Sequence, residues 1–166
     1  MNLAKPPSDG LDQSASEGSS IRERAIGLVA SYFESGRFQN ELAELVTYKT
    51  ESQKAERIDE LDRYLREAIQ PRLEQIGFTC QCHDNPVPGA GPILIAERIE
   101  APDLPTILTY GHGDVVRGQA DAWREGLRPF ELIEDGDRLY GRGSADSKAQ
   151  HLINIAALEN VLQTRG

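Results

Sequence analysis

An α/β domain is the fold class this sequence predicts, and three observations predict it. Apolar residues recur at helical spacing from Ile58 to Ile76, two β-branched alternating runs follow, and an apolar stretch of helical length spans Ser147 to Gln163. Helices that lead into strands and then into an apolar helix bury their faces against a sheet. With 166 residues, 39% of them apolar and 27% charged, the chain can bury one core and is ordinary in composition.

The elements follow in order. Residues 1–19 are polar, with Pro, Gly and Ser prominent, and read as a disordered tail; residues 20–166 read as the domain. Ser20 and Glu23 form a capping box, so a helix is predicted to start there and to end at Gly36. A second helix covers Phe38 to Val46, with Leu42, Leu45 and Val46 inward. The third carries Ile58, Leu61, Leu65, Ile69, Leu73 and Ile76 on one face, is kinked at Pro71 and closes at Gly77. Phe78–His83 and Ile93–Ile99 read as strands joined by a turn-rich segment. Thr106–Tyr110, bounded by Pro105 and Gly111, reads as an interior strand. An irregular loop with Trp123 leads to a hairpin about Asp135-Gly136. In the last helix apolar residues wrap most of the circumference, which predicts burial on all sides. No following strand covers its far side, so the chain reads as a truncated α/β domain.

Charge and composition narrow the function classes. A formal charge of −9 disfavours nucleic acid, whose phosphates demand a basic surface. No apolar run is long enough to span a bilayer, and the polar N-terminus lacks a secretory leader, so no membrane association and a cytoplasmic location are expected. Cys80 and Cys82, the only cysteines, share a strand face and read as free thiols, with His83 on the opposite face. They are too few for a zinc site.

Two segments carry chemistry. The run Thr106–Tyr110 ends in Gly111, His112, Gly113 and Asp114, at the carboxyl end of a strand, where ligands collect in open α/β sheets. A neutral imidazole is a good zinc ligand, and a carboxylate two residues on can hold its other nitrogen. Alone, the pair also reads as a loop histidine beside an incidental aspartate. Asp146, after the glycines at 141 and 143, stands just before the last helix. Its carboxylate reads either as an N-cap or as a metal ligand in the crevice of His112. No serine-nucleophile elbow, phosphate loop or dinucleotide fingerprint is present.

Taken in order, Gly111 to Val116, Trp123, Arg128 to Phe130, Asp135-Gly136 and Leu139 to Lys148 resemble the di-zinc metallopeptidase family of aminoacylases, acetylornithine deacetylases, succinyl-diaminopimelate desuccinylases and carnosinase-type dipeptidases. The resemblance covers roughly residues 105 to 162. It implies the N-terminal part of a three-layer α/β/α catalytic domain, without the family's smaller lid domain. By the same resemblance His112 is a zinc ligand, Asp114 the catalytic carboxylate that orients its imidazole, and Asp146 the aspartate that bridges two metals, followed by a cis peptide. Two departures touch the turn that aims Asp146: Ala149 stands where Gly is common, and Ser147 where Asn or Met is frequent. The family's general-base glutamate, its remaining ligands and a late histidine have no counterpart among these residues, and His151 reads as structural.

The function implied is that of a metal-dependent amidohydrolase or peptidase that cleaves a dipeptide or N-acyl amino acid. Its cofactor would be zinc, two ions in the complete parent, or cobalt or manganese in their place. The parent would be a longer protein, expected as a homodimer, and a chain with only this half of the site is expected to bind metal weakly and to hydrolyse nothing. The alternative is a non-catalytic relative that acts as a binding or interaction module, exposing the apolar side of its last helix and an open sheet edge to a partner.

Overall fold

The computed structural model describes residues 9–165, with side chains from Ser20 onward. Helix α1 runs Asp9–Glu34, so Ser20 lies inside it rather than at its start. Of the expected tail, residues 1–8 lie outside the described residues. Gly36, at φ 76, turns the chain in a left-handed conformation that suits glycine. Helix α2, Arg37–Thr47, then buries Leu42, Leu45 and Val46, as their spacing predicts. Arg37 donates to both carboxylate oxygens of Glu159 at 3.1 Å, which ties the start of α2 to the far end of the chain.

The third helical stretch is compound. A 3-10 turn at Ala55–Arg57 leads into α3, Ile58–Arg63, a π-helical segment, Tyr64–Ile69, and α4, Gln70–Gln75. Pro71 explains the wide segment. It has no N–H for the carbonyl four residues back, and its ring would collide with that carbonyl, so the preceding turn widens rather than breaking. The widened turn buries Tyr64, Ala68 and Ile69. At the end, Gly77 at φ 85 donates to Glu74 O (2.9 Å) and Phe78 N to Leu73 O (3.1 Å), the paired bonds of a Schellman cap.

Strands β1, Thr79–His83, and β2, Ile93–Glu97, pair antiparallel with Cys80 opposite Ala96 and Cys82 opposite Leu94. Both thiols are free and half-buried on one face, and His83 on the other face is exposed. A second hairpin, β3 (Ile133–Asp135) with β4 (Arg138–Tyr140), turns at Gly136, φ 66. The second hairpin stands where its turn chemistry predicts it, and the first pairs the two strands read on either side of the turn-rich segment.

Two expectations need correction. Thr106–Tyr110 is no interior strand: it pairs with nothing, and Ile107, Leu108 and Tyr110 are 86–92% exposed. A strand exists only where a neighbour offers its N–H and C=O groups, and among the described residues no strand lies beside this segment. Helix α5, Lys148–Gln163, is likewise covered on one side only. Ala149, Leu152 and Ile155 join the core with α2 and Tyr64 and Ala156 is also buried, whereas Ile153, Leu158 and Val161 face outward. The described residues thus form a mixed α/β structure with two antiparallel hairpins. No helix among them is long and apolar enough to cross a membrane.

The single parallel pairing among the described residues joins Glu51 to Val115 and anchors the loop that follows His112. Val115 N donates to Thr50 O at 2.8 Å, and Gly118 N to the Glu51 carboxylate at 2.8 Å. Glu51 is 2% exposed. Lys54 lies 2.9 Å from its carboxylate and Arg57 3.6 Å. Burial alone would raise the Glu51 pKa, but the Gly118 amide and the two cations outweigh it and hold the carboxyl below its ordinary range. A lowered folded pKa makes this stabilisation fully present above the unfolded value and lost as pH falls through the folded one. Glu51→Gln should therefore cost about 2 kcal/mol at neutral pH. Denaturant titrations across pH should also show the wild type losing more stability than the variant below about pH 4.5.

Candidate metal centre

Gly111 and Gly113 lie against two stacked rings. Tyr64 and His151 stack with centroids 6.1 Å apart, and the Tyr64 hydroxyl lies 3.0 Å from His151 Nδ1. A Cβ added at Gly111 would stand 2.3 Å from the His151 ring, and one at Gly113 would stand 2.3 Å from Tyr64. Glycine at both positions is thus a packing requirement. His151 has a structural part, as expected. Its partial burial lowers its pKa, which favours the neutral ring that can accept from Tyr64.

His112 is held between two carboxylates. Its Nδ1 lies 3.1 Å from Asp114 Oδ1, and its Nε2 lies 3.1 Å from Asp146 Oδ1. All three residues named from the sequence therefore come together, across 34 positions between His112 and Asp146. Partial burial pulls the His112 pKa down, but hydrogen bonding to Asp114 and the charges of Asp114 and Asp146 outweigh it and raise the pKa above its ordinary value. When the ring is protonated, both nitrogens donate, one to each carboxylate.

The N-cap position considered for Asp146 falls to another residue, whose side chain makes no cap hydrogen bond. Ser147 occupies the N-cap of α5, and the Asp146 side chain is 83% exposed. The peptide between Asp146 and Ser147 is cis. Ala149, buried at 7% exposure, donates its N–H to Gly143 O at 3.3 Å.

Four further residues hold the loop, and no sequence pattern pointed to them. Thr50 Oγ1 donates to Gly113 O at 2.7 Å, and Ser52 Oγ to Asp114 Oδ2 at 2.6 Å. The Ser147 hydroxyl donates to His112 O. Tyr64 supplies the floor. Ser52 and Asp114 are 62 positions apart, and an isolated serine in a polar stretch carries no periodicity that could reveal the pairing.

The donor set fits a metal ion in part. Two donors on one zinc at about 2.0–2.2 Å stand about 3–3.5 Å from each other at near-tetrahedral angles. His112 Nε2 and Asp146 Oδ1 stand at 3.1 Å, while Asp114 holds the far nitrogen as a carboxylate does behind a ligating imidazole. Among the described residues no group of three or more His, Cys, Asp or Glu side chains is arranged to hold a metal. The site opens on a cavity of about 750 Å³ whose wall includes Tyr64, Tyr110, His112, Asn154 and Leu158.

Comparison with known proteins gives the same segment a family context. Residues 108–166 match the model of peptidase family M20/M25/M40. A cysteinylglycine-S-conjugate dipeptidase of Corynebacterium striatum is 32% identical over 131 residues, 78% of this chain and 28% of that protein. A succinyl-diaminopimelate desuccinylase of Maricaulis maris is 36% identical over 105 residues, 63% of this chain and 25% of that one. The crystal structure of human carnosine dipeptidase 1 superposes with a TM-score of 0.72 at 25% identity, over 87% of this chain and 32% of its own. The chain thus spans about a third or less of the length of these relatives.

Because the loop rests on the rings, Gly113→Ala should be severe for one methyl group. Its Cβ would displace the Tyr64 ring or lift the loop, at a cost of about 2–3 kcal/mol, measurable by denaturant unfolding. Gly126→Ala meets nothing within 4 Å but keeps a φ of 84, so it controls for backbone strain alone.

Proposed function

From one premise, that the chain belongs to the M20 peptidase family, we propose that it forms part of a longer metal-dependent hydrolase that cleaves the amide bond of a dipeptide or N-acyl amino acid. The observation that carries this reading is the position of His112 between Asp114 and Asp146, both at 3.1 Å. Dipeptidases among the relatives support a peptide substrate, and the desuccinylase supports an N-acyl amino acid. The three-layer catalytic domain implied by the family belongs to the same proposal, with the hairpins and helices described above as its contribution.

Each residue then has a part. His112 offers the Nε2 lone pair once its proton leaves. Asp114 accepts the Nδ1 proton, which fixes the tautomer and makes Nε2 more basic. Asp146, exposed and outside the helix cap, offers a carboxylate to the same point in space. A zinc ion bound there would polarise the scissile carbonyl and acidify a water. No residue of this chain is assigned as general base, and two protein ligands are fewer than a tetrahedral zinc needs, so weak binding and no hydrolysis are expected from these residues alone.

A second reading, an interaction module without hydrolytic activity, draws support from the exposed Ile107, Leu108, Tyr110 and Ile153. Sizing by light scattering discriminates: a stable, specific dimer would favour it.

Isothermal titration with zinc tests the first reading. His112→Ala and Asp146→Ala should each weaken uptake at least about tenfold, because each removes one of two ligands. Equal uptake by wild type and both variants would remove the site.

A further inference from the structure

We propose that the Ser147 hydroxyl is a positioning group that sets the spacing between His112 and Asp146, and that it does so in place of capping α5. The inference rests on the metal-centre reading and deepens it.

Serine is among the favoured N-cap residues because its oxygen can accept from the second or third amide of the helix. Ser147 stands at the N-cap of α5, yet its side chain makes no cap hydrogen bond. Its hydroxyl donates instead to the backbone carbonyl of His112. Ser147 is 1% exposed, so no water replaces that bond. The favourable local use of the side chain has been given up for a contact 35 positions away.

The placement of this contact gives it a function. One end of the bond is the backbone of His112, and the other belongs to the residue that follows Asp146. It therefore joins the backbones of the two candidate ligands far more directly than the intervening chain does. The neighbouring hydroxyls leave this part unfilled. Thr50 holds Gly113 O and Ser52 holds Asp114 Oδ2, both from the segment before α3, so neither connects the loop to α5. Tyr64 and His151 support the loop from beneath but touch Gly111 and Gly113, not the carbonyl of His112. Without the Ser147 hydroxyl, the carbonyl of His112 loses its bond to the residue that follows Asp146, and the 3.1 Å spacing of Nε2 and Oδ1 loses that backbone support.

Zinc titration of the chain, with Ser147→Ala and Ser147→Thr, tests the proposal. Ser147→Ala should weaken zinc about tenfold in the wild-type background and have no further effect in His112→Ala, since the hydroxyl acts only through ligand spacing. Ser147→Thr keeps the hydroxyl and should restore affinity to within about threefold, although its extra methyl in a closed site lowers the Tm. A merely structural residue would show affinity following Tm across both variants. A metal-free readout accompanies this: nitrogen-15 spectra should show the His112 Nε2–H signal weakened by Ser147→Ala and the Nδ1–H signal, held by Asp114, retained. Wild-type affinity in Ser147→Ala, or an equal loss in Ser147→Thr, overturns the proposal. Zinc uptake that does not depend on His112 overturns the metal centre itself, so the two failures are distinguishable.

Discussion

The site hangs on the buried ring of Tyr64. It is 0% exposed and meets four residues from three separate parts of the chain. Gly113 lies against its edge, His151 stacks on it, Tyr48 meets it edge-on with centroids 5.6 Å apart, and the Lys148 ammonium sits 5.2 Å above it. Three of these contacts reach the loop of His112 or the helix that follows Asp146. The ring also determines what Lys148 can do. That residue is 0% exposed, its amine donates to Tyr48 O, and burial pushes its pKa down to about 7. A lysine this deep is tolerated because a carbonyl and an aromatic face receive its charge.

Tyr64 reaches this place because the helix is wound wide there. In a regular α-helix successive residues advance by about 100°, and the apolar stripe read from Ile58 to Ile76 assumes that advance throughout. The π-helical segment Tyr64–Ile69 breaks the assumption and adds a residue to the buried face. The stripe named Leu61, Leu65 and Ile69 but not Tyr64, which lies three residues after Leu61 and is buried where the turn widens. Pro71 was legible as a disturbance. Its consequence, a buried tyrosine about two turns earlier, was not, because a pattern of fixed period cannot register a change of period.

The same distinction separates what could and could not be read elsewhere. Leu42, Leu45 and Val46, the Gly77 cap and both hairpins follow from local rules, and they stand where those rules put them. That His112, Asp114 and Asp146 come together was legible for another reason, as residue types in a familiar order. Thr106–Tyr110 and the outer side of α5 misled because apolarity reports what a segment would bury, not whether a neighbour is there to bury it. Thr50, Ser52 and the Ser147 hydroxyl were invisible because their bonds cross 35 to 63 positions and use small polar residues that occur everywhere. Ser147 drew notice only as a departure from a family pattern, without a hint of the bond it makes.

These hydroxyl bonds bear on how one geometry can serve two states of His112. Protonated, the imidazole donates to Asp114 and Asp146 and forms an ion pair with each. Deprotonated at Nε2, it presents a lone pair to the same Asp146 oxygen, two like acceptors that repel unless a cation lies between them. The raised pKa of His112 therefore expresses the property a metal would exploit: the pocket favours positive charge at that point, whether a proton or an ion supplies it. A cation then has to displace a proton, and affinity should rise with pH for that reason. What keeps the exchange possible is that the backbone does not follow it. The carbonyls of His112 and Gly113 are held by Ser147 and Thr50, and the glycine backbone by the ring of Tyr64, none of which changes charge when the proton leaves.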